Sequence, residues 1–167
     1  MADKDAAPAA VSALAVTFEP MTAEAAECLG SAFAQIDPWA HYAYTAATLA
    51  GFLADEEPGT QRFQIIAEQA LAGAIVIQSK WLRGPYLQFL GVLPAFHRRG
   101  LGRSALGWFE SAARADGARN LWVAASEFNV AAQTFYERHG FVRIASIDGL
   151  VAEGTAEILF RKQLAAG

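Results

Sequence analysis

The chain has 167 residues, 54% hydrophobic and 18% charged, with a formal net charge of −4. That balance excludes a disordered tail, and no stretch reaches the roughly 20 uninterrupted apolar residues of a membrane-spanning helix. A general polyanion binder is excluded as well, since it needs a basic face over several phosphates.

Residues 1–13 are rich in Ala, Pro and Asp and read as a mobile leader ahead of a single domain over 14–167. Asp3 and Asp5 stand where a signal peptide carries positive charge, so export is not expected. The single cysteine, Cys28, allows no internal disulfide and no thiolate cluster, which fits a reducing cytoplasm. With no basic neighbour to lower its pKa, Cys28 reads as a small buried helix residue.

"AVTFEP" alternates as a strand does, and "TAEAAECLGSAF" is a helix with Thr22 as cap and Leu29 and Phe33 on one face. "QIDPWAHYAY" reads as a loop or broken helix, followed by a short helix in "TAATLAGFLADE" that ends near Pro58-Gly59. "RFQIIAE", "LAGAIVIQSKW" and "PYLQFLGVLP" form an antiparallel meander, its connections being short. Leu101, Ala105, Trp108, Phe109 and Ala112 then give the apolar face of a helix that stops at Asp116-Gly117. "NLWVAA" is a buried strand, a further helix runs from Asn129 to His139-Gly140, and "FVRIASI" and "AEILFRKQL" close the chain as strands. Trp81, near a strand end, fits either an exposed contact or the core. This order predicts a mixed α/β sandwich rather than a continuous βαβ series.

Between the meander and the long helix stands "PAFHRRGLGRSALGWFE", residues 94–110. A helix N-terminus offers unpaired N–H groups and partial positive charge, which suits a phosphate or diphosphate. Gly100 and Gly102 let an anion approach those N–H groups, and Arg98 and Arg99 supply charge-assisted hydrogen bonds. "GLGRSA" also satisfies the dinucleotide fingerprint G-x-G-x-x-G/A, with Glu127 roughly where a ribose-binding acid would lie. That reading is the weaker one, because residues including two arginines separate the strand from Gly100 and an antiparallel meander precedes the loop.

Downstream, "NVAAQTFYERHGF", residues 129–141, places Asn129, Ala132, Tyr136 and Gly140-Phe141 in sequence. Together the two stretches resemble the GNAT acyltransferase superfamily. Its loop pattern Q/R-x-x-G-x-G/A falls on His97 to Gly102, with His97 departing from the usual Gln or Arg. Its N-x-x-A-x-x-x-Y-x-x-x-G-F pattern falls on the second stretch without a gap, and "FLGVLP" resembles its central strand. The resemblance implies an α+β fold with a mostly antiparallel central sheet of about six or seven strands flanked by helices. It also implies acetyl-CoA as cosubstrate, its diphosphate held by the backbone of His97, Arg98, Arg99, Gly100, Leu101, Gly102 and Arg103. Leu90, Gly91 and Val92 would pair with the pantetheine arm as an added strand, one N–H polarising the thioester carbonyl. Gly91 also reads as a plain strand glycine marking a bulge.

The resemblance makes Tyr136 the catalytic proton donor to the leaving thiolate and a cofactor contact, and a phenol suits that exchange. Asn129 is an N-cap, with or without a contact to the cofactor. The acceptor's general base is harder to find. The positions where relatives carry a carboxylate hold Ala124 and Gln88, and Glu127 reads equally well as a solvated loop residue. Asp37, Trp39, His41 and Tyr42 lie in the region that relatives use to shape the acceptor site. For His41 the favoured reading is a surface or helix-packing histidine. His41, His97 and His139 are too scattered for a metal site, and none is expected. The function implied is N-acetyl transfer to an amine of a small molecule or peptide by direct attack. A non-catalytic acyl-CoA-binding module is the alternative. Neither nucleic acid nor membrane is expected as partner, and the oligomeric state stays open, a homodimer included.

Overall fold

The computed structural model describes residues 14–165, so the leader expected at 1–13 lies outside it. After β1 (Val16–Pro20), helix α1 (Ala23–Phe33) opens on Thr22, whose hydroxyl accepts the Ala25 N–H at 3.1 Å. Such a cap contributes about 1 kcal/mol. The helix buries Ala25, Ala26, Leu29, Gly30 and Phe33, and Cys28 falls off that face and is exposed, contrary to the buried position expected for it. Helix α2 (Ala46–Ala54), capped by Thr45, crosses so close that a Cβ on Gly30 would sit 2.6 Å from the Ala50 nitrogen. Between the helices, residues 34–43 form successive turns.

Strands β2 (Thr60–Ala67), β3 (Ala70–Trp81) and β4 (Gly84–Val92) form the expected meander. Helix α3 (Leu101–Ala115) carries the chain to β5 (Asn120–Ser126), and α4 (Val130–Arg138) precedes β6 (Val142–Asp148) and β7 (Ala156–Gln163). The seven strands make one sheet in the order β1-β2-β3-β4-β5-β7-β6, antiparallel except where β4 meets β5. The α+β sandwich read from the sequence is therefore the observed architecture.

Both sheet faces are buried, and β3 shows how. Ile75 and Ile77 point into a core under α3 and α4, whereas Ala74 and Val76 point into a second core under α1 and α2. Helix α3 contributes Leu101, Ala105, Leu106, Phe109 and Ala113. Ala113, not Ala112, continues the stripe, and Trp108 is half-buried, stacked on Phe18 at 4.5 Å. Trp81 is also half-buried, packed between Tyr86 and Trp122.

The feature that positions the site is a fork. The parallel pair β4 and β5 is in register at Tyr86–Trp122 and Leu87–Val123 and then parts. Strand β4 remains paired to β3 as far as Val92–Gly73, and β5 to β7 as far as Ser126–Glu157. A bulge assists: adjacent Val76 and Ile77 face Phe89 and Leu87, leaving Gln88 as the extra residue. The bulge thus falls on Gln88. Gly91 is small for another reason, since a Cβ there would lie 2.6 Å from the Phe33 ring.

Candidate active site

Two cavities open at the carboxyl ends of β4 and β5, where adjacent parallel strands part and ligands commonly bind. One, of about 400 Å³, is lined by Leu90, Val92, the loop from Phe96 to Arg98, the start of α3 from Gly100 to Arg103, and Phe135 of α4. The other, of about 430 Å³, lies between the forked strands and under the α1–α2 connection. They share Leu90, Ala132 and Tyr136, so Tyr136 forms part of both walls.

At the first cavity Arg98 and Gly100 have positive φ of 60° and 82°, a left-handed turn that brings the chain into α3. Gly100 meets this need without strain, because it has no Cβ. Gly102 has a different reason to be small: a Cβ there would approach the Phe135 ring to 3.1 Å, so it permits α4 to lie against α3. No side chain caps α3, and among the described residues the N–H groups of Leu101, Gly102 and Arg103 donate to no protein acceptor. Arg98 and Arg103 form no ion pair among the described residues. Free first-turn amides with two uncommitted guanidiniums match the donor set a diphosphate requires.

Two side chains of the loop are already engaged. Arg99 reaches Glu68 on the β2–β3 turn at 2.6 Å and lies over the Phe96 ring. His97 turns back to the Val92 carbonyl, 2.8 Å from its Nε2. The departure from Gln or Arg at position 97 thus ties the loop to the end of β4.

Around the second cavity, Asn129 caps α4 by accepting the Ala132 N–H at 3.1 Å. Gln133 holds the β5–α4 connection by donating to the Ser126 and Glu127 carbonyls. Tyr136 is 7% exposed, and burial pushes its phenol above the ordinary value, with Tyr86 adding to the effect. Tyr86 is raised by burial and then by the negative charge of Glu157. Tyr42 is raised by burial first and by its hydrogen bond to Glu157 second, the Ser126 and Thr155 hydroxyls pulling the other way.

Of the acceptor-side residues named from sequence, Trp39 and Tyr42 line the cavity, and Asp37 and His41 do not. His41 is exposed and stacks on Phe128 at 3.8 Å, a packing role. Glu127 is likewise outside the lining, its carboxylate accepting the Ala156 N–H at 3.0 Å. Leu90 and Val92 line the first cavity, whereas Gly91 faces Phe33 across the sheet. Sequence reading missed Tyr86 and Glu157. The available signal was Glu157 itself, the one charge within the apolar run "AEILF" of β7, all five residues of which are buried.

The site thus combines a forked mixed sheet, an uncapped helix start with basic residues, and a tyrosine shared by two cavities. A family model described as "Acetyltransferase (GNAT) family" matches residues 18–141, and the chain belongs to that family. Solved structures agree in fold. An acetyltransferase from Thermus thermophilus is 22% identical at TM-score 0.74, over 91% of this chain and 99% of that one. The ribosomal-protein-S18-alanine N-acetyltransferase of Escherichia coli is 21% identical at TM-score 0.70, over 92% and 96%. A Bacillus anthracis protein assigned as a streptothricin acetyltransferase, solved with acetyl coenzyme A, is 18% identical at TM-score 0.59, over 66% and 65%. No curated protein matches the chain significantly. Among the described residues, no helix is long and apolar enough to cross a membrane.

Proposed function

We propose that the chain transfers an acetyl group from acetyl-CoA to an amine by direct attack in a ternary complex. The observation that supports this most is Tyr136, which stands in the walls of both cavities. A residue so placed meets the leaving group of one substrate beside the nucleophile of the other.

In this reading the first-turn amides of α3, with Arg98 and Arg103, hold the diphosphate. Strand β4 from Leu90 to Val92 accompanies the pantetheine arm, and a backbone N–H stabilises charge on the thioester oxygen. Acetyl-CoA supplies the activated carbonyl. As the C–N bond forms and the C–S bond breaks, the Tyr136 phenol gives its proton to sulfur. Burial keeps that proton on the phenol at neutral pH, and the same burial makes a thiolate more basic, so donor and acceptor rise together. A module that only binds acyl-CoA would have no use for the second cavity.

Release of thiol from acetyl-CoA, followed against a panel of primary amines, tests the reading. Tyr136→Phe should lower turnover by about 100-fold or more while acetyl-CoA affinity stays within about threefold. Release independent of amine, or equal loss of turnover and affinity, contradicts it.

A further inference from the structure

The acceptor's proton needs a destination, and neither Ala124 nor Gln88 supplies one. Glu157 of β7 lines the second cavity and is 7% exposed. Its Oε1 accepts the Tyr42 phenol at 2.5 Å, a contact between residues 115 apart in the chain. Among the described residues no Lys, Arg or His pairs with Glu157, and its Oε2 accepts no side-chain hydrogen bond. Oε2 is not sealed away, because the one buried side-chain polar atom without a partner among those residues is Arg62 Nη1. Oε2 thus keeps some exposure, and Glu157 forms part of the cavity wall.

A carboxylate withdrawn from water without a cation is costly, and an incoming cation relieves that cost. The rest of the wall suits such a guest. Trp39, Tyr42, Tyr44, Phe52, Tyr86 and Phe89 bring aromatic rings, and no other lining residue carries a charge at neutral pH. Aromatic faces attract a cation and accept an apolar body, whereas an anionic group would meet Glu157 with nothing to balance it.

Resting on the acetyl-transfer reading, we propose that Glu157 is the acceptor-side catalytic carboxylate: it receives a primary ammonium at Oε2, takes its proton, and selects amines borne on a compact apolar or aromatic body without an anionic group. The ammonium gives up two protons in all. One passes to Glu157 and on to solvent, freeing the nitrogen pair that forms the C–N bond. The other restores the Tyr136 phenol after that phenol has protonated the departing sulfur. Tyr42 is a positioning residue that holds the carboxylate toward the cavity.

Two nearly isosteric probes separate the roles. 2-Phenylethylamine is an ammonium at neutral pH, whereas O-benzylhydroxylamine is uncharged and needs no base before attack. With wild-type protein, kcat/KM for 2-phenylethylamine should exceed that for phenylalanine, which adds a carboxylate, by about tenfold or more. In Glu157→Gln the value should fall about 100-fold for 2-phenylethylamine and less than about fivefold for O-benzylhydroxylamine. Tyr42→Phe should give a smaller loss with the same preference between probes, and it provides the test if Glu157→Gln does not fold. Calorimetry with acetyl-CoA on each protein separates the two levels of the reading. Wild-type protein that binds acetyl-CoA yet neither binds nor acetylates 2-phenylethylamine overturns the proposal, as do equal losses for the two isosteric probes. Wild-type protein that ignores acetyl-CoA overturns the underlying acetyl-transfer reading first.

Discussion

Glu110 on α3 is half-buried and Glu157 on β7 is buried, and the chain surrounds them differently. Glu110 receives Lys162 at 2.6 Å and Arg114 at 2.8 Å. Burial alone would raise its carboxyl, but hydrogen bonds from Lys162 and Arg114 hold it below the ordinary range. Glu157 is the more buried and, among the described residues, is met by one phenol and no cation. Charge that serves the fold is neutralised within the chain, and charge left without a counterion beside a cavity stands ready for one from outside.

The contrast is broken most forcefully at the level of activity. Glu157→Gln should cost about 100-fold in kcat/KM for an alkylammonium acceptor, and Glu110→Gln less than about twofold, by thiol release. A comparable loss from both would remove the distinction. Next in size is the 97–103 loop, the proposed diphosphate site, where the same logic separates neighbouring arginines. Arg98→Ala with Arg103→Ala should weaken acetyl-CoA about tenfold or more in calorimetry, and Arg99→Ala much less, because Arg99 is already paired with Glu68. Equal losses would mean that the Glu68 pair yields when the cofactor binds.

Stability should run in the opposite sense. Urea melts of Glu110→Gln should show a loss of about 1 kcal/mol at neutral pH, and Glu157→Gln no loss or a gain. The Glu110 contribution has a defined pH window. Its folded pKa is depressed, so its contribution is present above the ordinary value of 4.5 and is lost as pH falls through the lower folded value. Wild type and Glu110→Gln should therefore converge in acid. The smallest expected effect is none: with Tyr136 donating its phenol proton as proposed, its raised pKa means that turnover should show no alkaline decline from this group below pH 10.0.

What was legible in the sequence is what local chemistry determines. Thr22 and Asn129 act as caps because each binds an N–H three residues on, and the 97–103 loop is recognisable because its glycines and arginines are contiguous. What was not legible depends on distant partners. Arg99 stood among the expected phosphate ligands, and its pairing with Glu68 comes from the β2–β3 turn; Glu127 read as a solvated loop residue, and β7 brings the Ala156 N–H to it. Glu157 gains its setting from the pairing of β5 with β7 and from Tyr42 in a connection near the other end of the chain. Cys28 shows a different limit, since its small apolar side chain suited burial but its place on α1 lies off the stripe through Leu29 and Phe33.

The claim that the fork between β4 and β5 is a two-substrate acyl-transfer site is tested most directly by following backbone amide resonances during titration with acetyl-CoA. Saturable shifts are expected at Gly100 to Arg103 and at Leu90 to Val92, with the surroundings of Glu110 unmoved. Saturable shifts centred elsewhere, or none from folded protein, would contradict it.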